Sequence, residues 1–223
     1  MFSNITNIIN SLKTDPGGTI IYLLMLAVCI LLSLILHECA HGWVALKCGD
    51  PTAKWMGRLT LDPRKHLDPI GTICMLFLRI GWAKPVPINP RNFRNYRRDY
   101  ILVSLAGITV NLLLFLTSTV VTVLVYKYAA AQWLGYVYQF FLMMAQINLS
   151  LAVFNLLPVP PLDGYRFLDH FVFKGSLSMN PQTMRYVQIG FLIVCVSGLL
   201  NGLLTTVNTA IFNAVFRFVY GII

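Results

Sequence analysis

Long apolar runs separated by short polar stretches dominate the chain from residue 20 onward. A bilayer core of about 30 Å needs roughly 20 apolar residues in a helix, so runs of this length predict membrane-spanning helices. A shorter apolar piece, Ile70–Ile80, is marginal for crossing, and Thr205–Ile223 could be a last short span or an interfacial helix. The full-length predicted spans are Ile20–Leu46, Tyr100–Tyr126, Leu134–Leu157 and Tyr186–Leu204.

The stretch from Gly81 to Pro90 predicts a break in this helical pattern. It alternates prolines with apolar residues, and proline inside a helix removes a hydrogen bond and clashes with the preceding turn. We therefore predict a short extended or re-entrant segment near residues 81–90, which lines a site because non-helical backbone is tolerated at membrane depth only against protein or a wet cavity. The predicted fold is an all-α polytopic membrane protein with about five to six transmembrane helices.

Composition agrees with this class of protein. The chain is 57% hydrophobic and 11% charged, with a mean hydropathy of +0.70, whereas soluble proteins average about 25% charged residues. The 223 residues leave little besides spans and short loops, which predicts a single integral membrane domain over 1–223, with its core at about 20–170 and C-terminal helices at about 186–223. The five cysteines are odd in number and scattered, so no disulfide framework is expected.

The distribution of charge predicts an orientation. Eleven of the seventeen Lys and Arg residues lie between Lys47 and Arg98. By the positive-inside rule this region faces the cytoplasm and the N-terminus lies outside, in a multi-pass protein of the cell membrane. Counting spans forward returns the loop from Pro158 to Arg185 to the cytoplasmic side. The net charge of +9 is thus a topology signal, and because no groove-reading element accompanies it we expect no nucleic-acid partner.

Three chemically active residues lie in the second half of the first predicted span: His37, Glu38 and His41. Imidazoles four residues apart lie on one face of a helix, where both can reach a single Zn²⁺. Glu38 lies beside them, in position to take a proton from a metal-bound water. Ionisable side chains are costly inside a bilayer, by roughly 3 kcal/mol even on lenient scales, so this group indicates function.

A catalytic zinc needs three protein ligands and an open position, so a third ligand is expected at the same membrane depth. Asp163 is the best candidate, because it follows the span that ends on the cytoplasmic side, where the first span also ends. The prolines between Pro158 and Pro161 break the helix, and Gly164 permits a sharp turn that could bring the carboxylate back to a buried ion. A capping role for Asp163 at the next helix is the alternative.

Two motifs together, His37-Glu38-x-x-His41 and Asn155-x-x-Pro158-x-Pro160-x-x-Asp163-Gly164, resemble the site-2 protease family of intramembrane zinc metalloproteases. The resemblance covers roughly residues 20–170 and extends through the stretches Gly57–Thr60, His66–Thr72, Gly81–Pro87 and Ala106–Asn111. No polar stretch is long enough for an inserted PDZ domain. The chain therefore resembles the compact branch of the family, which is typical of a prokaryotic plasma membrane.

The resemblance implies a zinc metalloendopeptidase that hydrolyses peptide bonds within or near transmembrane segments of membrane proteins. It makes His37, His41 and Asp163 the ligands of one Zn²⁺ per chain, and Glu38 the general base acting on a zinc-activated water. It also puts Asn155 beside the site, where the amide could either donate to a developing oxyanion or make an ordinary interhelical hydrogen bond.

The implied substrate is a transmembrane protein, met within the lipid bilayer. A regular helix shields its own carbonyls, so the substrate has to be locally unwound. The segment that includes Lys84, Pro85, Val86 and Pro87, if extended, could pair with the unwound substrate as an added strand. The oligomeric state is left open by the sequence.

Two other classes of protein are weighed against the protease. A zinc-binding membrane protein without hydrolytic activity, such as a pseudoprotease or a helix-binding chaperone, has no need of Glu38. A transporter or channel predicts ionisable residues spread over several spans, whereas the interiors of the Tyr100–Tyr126 and Leu134–Leu157 spans contain none.

Overall fold

The structure is a computed structural model that describes residues 2–68, 71, 84–128, 131, 133–177 and 179–223. Within these residues the regular structure is helical, with no β-strand, which confirms the predicted all-α class. A short 3₁₀ helix, Pro90–Asn92, precedes the fifth α-helix. The α-helices are α1 (Phe2–Thr14), α2 (Pro16–Lys47), α3 (Thr52–Trp55), α4 (Pro63–His66), α5 (Tyr96–Tyr128), α6 (Leu134–Asn155), α7 (Asp163–Phe171), α8 (Pro181–Ser197) and α9 (Asn201–Ile222).

Four of these helices are long and apolar enough to cross a membrane: α2, α5, α6 and α9. The shortest of them have 22 residues, and at 1.5 Å per residue they extend about 33 Å, which matches a bilayer core. The chain is therefore a polytopic membrane protein. The marginal piece at Ile70–Ile80 lies, except for Gly71, outside the described residues, so the described part of the chain supplies four of the five to six predicted spans.

The C-terminal helices differ from the predicted span Tyr186–Leu204. The chain breaks at Gly198, which has a left-handed backbone with φ +79° and ends α8 at Ser197. Glycine adopts this conformation without the steric cost that a Cβ imposes, so it is a common helix terminator. The following helix, α9, includes nearly all of Thr205–Ile223, for which the sequence allowed either a last short span or an interfacial helix.

Helix α5 lies at the centre of the bundle and packs against α2, α6 and α7. Small and sulfur-containing residues fill the contact of α2 with α6, where Cys29 packs on Met143 and Met144. Polar side chains also pair between these two helices: the Asn148 amide donates to Ser33 Oγ over 2.9 Å, and both side chains are fully buried. Such interhelical bonds contribute roughly 0.6 kcal/mol each, so close packing provides most of the stabilisation.

Residues 84–89 form no helix, as predicted; we call them the 84–89 segment. Residues 81–83 of the predicted extended stretch lie outside the described part of the chain. Pro85 and Pro87 prevent helix formation because each lacks a backbone N–H. The segment packs against α2, where a Cβ on Gly42 would lie 3.1 Å from Val86 Cγ1.

Candidate metal centre

Helix α2 presents His37 and His41 on one face, as their spacing predicts. The two ring centroids are 4.7 Å apart and the two Nε2 atoms are 3.1 Å apart. Both residues are buried, with 6% and 5% of their surface exposed. The imidazoles therefore direct the same type of nitrogen toward one point inside the protein.

Asp163, the first residue of α7, completes the group. Its Oδ2 atom lies 3.2 Å from His37 Nε2 and 3.0 Å from His41 Nε2. The three ligand atoms lie within 4.8 Å of one another, and all three residues are buried. Within the described residues, Asp163 Oδ2 has no hydrogen-bond partner other than these two imidazoles.

This donor set fits a zinc ion. Two imidazole nitrogens and one carboxylate oxygen are a common ligand set of catalytic zinc, which keeps a further position open. A divalent cation placed between the buried carboxylate oxygen and the two imidazole nitrogens would satisfy all three atoms. The residues that the motif and the topology pointed to are thus brought together by the tertiary fold.

The turn before α7 explains how Asp163 reaches the site. Leu162 is extended, with ψ 156°, and α7 begins at the next residue. A Cβ on Gly164 would lie 2.3 Å from the carbonyl oxygen of Leu156, so the start of α7 is pressed against the end of α6. Glycine is required at residue 164 for this close approach.

The electrostatics of Asp163 follow from its neighbours. Burial raises the pKa of this carboxyl group, but the hydrogen bonds and charges of His37 and His41 lower it by more, so the pKa lies well below its usual value. The carboxylate is therefore ionised at neutral pH, which is the form that binds a metal.

Residues of α5 contact both imidazoles at Nδ1, on the side of each ring away from the candidate metal position. His41 Nδ1 lies 2.7 Å from the carbonyl oxygen of Val103, and an Nδ1–H donor there leaves Nε2 as the free ligand atom. His37 Nδ1 lies 3.1 Å from the amide Nδ2 of Asn111, which is fully buried. These contacts fix the ring orientations at the metal centre.

Gly107 lies between these two contacts on the same face of α5. A Cβ there would be 2.4–2.5 Å from His37 Cε1 and Nε2 and from His41 Nε2. In the sequence, Gly107 and Asn111 were included only in the stretch that carries the resemblance, which did not show that they pack against the two imidazoles. Val103, Gly107 and Asn111 follow one another at intervals of four residues, which places them on one face of α5; this spacing was the available signal in the sequence. The role of the Val103 carbonyl has no sequence signal, because every residue carries one.

Glu38 points toward the 84–89 segment. Its Oε2 atom accepts a hydrogen bond of 2.8 Å from the backbone N–H of Val86. Among the described residues, none donates a hydrogen bond to Oε1, the other carboxylate oxygen of Glu38. Glu38, which directly follows the candidate ligand His37, thus contacts the non-helical segment.

Asn155 lies in the last turn of α6, where its amide donates to the Leu151 carbonyl over 2.9 Å. This bond is within its own helix and uses one of the two N–H groups of the amide. Lys84, at the start of the 84–89 segment, donates its N–H to His66 O over 2.8 Å and accepts from Arg58 Nη2 over 2.7 Å. Val86 is buried, and Pro85 and Pro87 flank it in sequence.

Membrane-length helices surround a buried His–His–Asp group that could hold a metal ion, which is the arrangement of a membrane metalloprotein. The chain belongs to peptidase family M50, the site-2 protease family, whose model matches residues 25–197. This match confirms the resemblance carried by the two motifs.

Curated relatives agree with the family assignment. The chain is 44% identical to "Putative zinc metalloprotease YwhC" of Bacillus subtilis over 177 residues, which are 78% of this chain and 81% of that protein. It is 33% identical to "Putative zinc metalloprotease Rip2" of Mycobacterium tuberculosis over 179 residues, 77% of this chain and 66% of that protein. The Rip2 protein of Mycolicibacterium smegmatis is 34% identical over 176 residues, 74% and 63% of the two chains. No solved structure matches the chain.

Proposed function

We propose that this chain is an intramembrane endopeptidase, one membrane domain over 1–223, that hydrolyses peptide bonds within or near transmembrane segments of other membrane proteins. The observation that carries the proposal is the convergence of His37, His41 and Asp163 at a buried point among membrane-length helices. Such a site is reached by a substrate that is itself in the bilayer. The basic region between Lys47 and Arg98 supports an active site that opens toward the cytoplasm.

His37, His41 and Asp163 would hold the Zn²⁺ in this mechanism. When bound, the ion polarises the scissile carbonyl and lowers the pKa of water from 15.7 toward about 7. The protein keeps the three ligands buried and orients the imidazoles through Val103 and Asn111. Ligands fixed in this way need no rearrangement when the substrate arrives.

Glu38 is the proposed general base. It directly follows His37 on α2, and its carboxylate is held at Oε2 by the Val86 N–H. This leaves Oε1 to accept a proton from the attacking water and to deliver it to the leaving amine. The hydrogen bond to Val86 fixes the direction of the carboxylate without neutralising it.

The 84–89 segment is the proposed substrate-binding strand. Its prolines are compatible with an edge strand, since an edge strand does not need every backbone N–H for pairing. A substrate unwound at the scissile bond can add to this edge and gain main-chain hydrogen bonds. Because Val86 donates to Glu38, a substrate held by this segment is held beside the base. Asn155, at the end of α6, remains the proposed oxyanion donor, because its bond to the Leu151 carbonyl uses only one of the two N–H groups of the amide.

Replacement of Glu38 by Gln tests the function. Gln keeps an acceptor for Val86 but cannot take the proton, so we expect wild-type zinc content and a loss of cleavage of about 10²–10⁴-fold. Zinc is measured by elemental analysis of detergent-purified protein, and cleavage is measured on single-span substrates with and without a chelator. Cleavage by Glu38→Gln at the wild-type rate contradicts the mechanism. A zinc-loaded wild-type protein that cuts no membrane substrate would instead be a zinc-binding protein without proteolytic activity.

A further inference from the structure

The C-terminal end of the 84–89 segment is held by a buried carboxylate, that of Asp50, just beyond the end of α2. Asp50 is fully buried and accepts hydrogen bonds from two sides. Its Oδ1 atom accepts from the N–H and hydroxyl of Thr52 and, over 2.8 Å, from the amide of Asn92. Its Oδ2 atom accepts from the N–H of Asn89 over 2.7 Å. The carboxylate thus joins the loop after α2 to the end of the segment.

Asp50 keeps its charge although it is buried. Burial raises the pKa of this carboxyl group, but the hydrogen bonds from Thr52, Asn92 and Asn89 outweigh it, and the pKa lies below its usual value. Among the described residues no Lys or Arg lies within 4 Å of its oxygens. The negative charge of Asp50 is therefore stabilised by hydrogen bonds from neutral groups. These hydrogen bonds depend on the exact positions of their donors.

The anchoring points lie in order along the segment. Lys84 is bound to His66 and Arg58, Val86 to Glu38, and Asn89 to Asp50. Since Glu38 precedes Asp50 on the same stretch of chain, the segment runs alongside α2 in the same direction. It leads from the base to the loop that follows α2.

Few other backbone N–H groups of the segment can hold it in place, although Val86 is buried and Ile88 packs against the buried cluster that includes Ala45 and Cys48. Pro85 and Pro87 have no N–H, and those of Lys84, Val86 and Asn89 all serve as anchors. A strand that is weakly specified can slip, and a slip of two residues keeps the same side chains on the same face. A slip of the segment would move any substrate paired with it relative to the metal ligands.

We propose that Asp50 is a positioning residue for the cleavage reaction: it sets the register of the 84–89 segment against α2 and so determines which substrate bond lies at the metal centre. The inference rests on the proposed proteolytic function. Asp50 does not touch the reacting atoms and acts through Asn89 and the segment.

The test compares Asp50→Asn with Thr52→Val. If the Asn side chain keeps its oxygen toward Thr52 and Asn92, its NH₂ group faces the N–H of Asn89, and two donors then oppose each other. Thr52→Val removes one hydroxyl bond to the same carboxylate but leaves the bond to Asn89 intact. Both proteins are loaded with zinc, and a single-span substrate is cleaved and its products are mapped by mass spectrometry.

For Asp50→Asn we expect KM to rise about tenfold, equivalent to 1.36 kcal/mol of lost binding, and additional products displaced by about two residues. Thr52→Val should give the wild-type product. The position of a cut does not depend on how much of the enzyme is folded, so a destabilised Asp50→Asn protein still gives an answer.

Asp50→Asn with a single wild-type product and an unchanged KM overturns the proposal. If Thr52→Val displaces the cut by as much as Asp50→Asn does, the proposal is also overturned. The displacement would then come from a change in the whole loop and not from the bond between Asp50 and Asn89. If the wild type cuts its substrate in these assays, the proposed function stands and only the role of Asp50 falls. If the zinc-loaded wild type cuts nothing, both fall.

Discussion

At the scale of single residues, the metal centre depends on side chains that are small as much as on those that bind. Gly107 of α5 lies against both imidazoles, and Gly164 lies against the backbone at the end of α6. Each glycine allows a close approach that places a ligand. The histidines and the carboxylate could be predicted because their chemistry is visible in the sequence, whereas these glycines acquire their meaning only from what packs against them.

Gly107→Ala is expected to disrupt the metal centre. The added methyl group would lie 2.4–2.5 Å from ring atoms of His37 and His41, closer than non-bonded atoms tolerate, so the rings or α5 have to move. We expect zinc content to fall by at least about tenfold, as for other disturbances next to metal ligands. Elemental analysis of the purified protein measures this.

Gly190→Ala provides the matched control. It makes the same change inside α8, where nothing lies within 4 Å of the added Cβ. It should keep its zinc and be more stable by about 0.5–1 kcal/mol, because alanine favours a helix over glycine. Equal zinc content in the two variants would show that the space at Gly107 is not needed.

At the scale of elements, the short helix α7 is held at both ends. Its first residue, Asp163, meets the imidazoles of α2. At its other end Arg97 of α5 donates to the carbonyl oxygens of His170 and Phe171, over 3.0 and 2.9 Å. The His170 ring also stacks on Tyr100, with centroids 3.7 Å apart. A helix of nine residues is marginal by itself, so these contacts maintain the position of Asp163, the proposed metal ligand.

Arg97→Gln is expected to loosen α7 and weaken zinc binding. The last carbonyls of a helix have no partner within the helix, and the variant removes the guanidinium that satisfies two of them. We expect zinc affinity to fall about fivefold, equivalent to ~1 kcal/mol of lost hydrogen bonding. Competition with a fluorescent chelator measures the affinity.

Arg91→Gln is the corresponding control, since Arg91 is an exposed residue in the same basic stretch. It removes the same charge without touching α7, and its zinc affinity should equal that of the wild type. Equal losses in both variants would assign the effect to overall charge and not to the contact with α7.

At the scale of the whole molecule, the contacts of α9 determine its direction. Phe212 packs near Phe115, and farther along both helices Lys127 Nζ donates to the Tyr220 carbonyl over 2.9 Å. Helix α9 is therefore parallel to α5. If the region between Lys47 and Arg98 is cytoplasmic, α5 and α9 both run outward. In that case α8, with 17 residues, starts and ends on the cytoplasmic side.

Cysteine labelling tests this orientation. With an impermeant maleimide added to intact cells, Ile222→Cys should react, whereas Leu199→Cys should react only after lysis. Both positions are exposed in the structure, with 69% and 76% of their surface free of contact with the rest of the protein, so burial within the protein does not explain a difference between them. The native cysteines of the parent protein provide the baseline. The opposite pattern would place the basic region outside the cell.

The sequence by itself determined the class of protein, the residues proposed as metal ligands and the break near the prolines. These follow from local rules: the length of apolar runs, the spacing of His37 and His41 on one helical face, and the missing N–H of proline. The interruption at Gly198 was not predicted, because an apolar run continues on both sides of it and hydropathy does not register a change of backbone conformation.

The tertiary structure alone decided which groups contact the candidate ligands and the 84–89 segment. The Val103 carbonyl, the Asn111 amide and the Asp50 carboxylate act on residues more than thirty positions away in the chain. Contacts of this kind depend on how helices and loops are placed against each other, and a carbonyl or a satisfied amide shows no periodicity that would reveal its partner. The two histidines could be predicted from local spacing and Asp163 from the order of the spans, but the contacts that support them form only when distant segments meet.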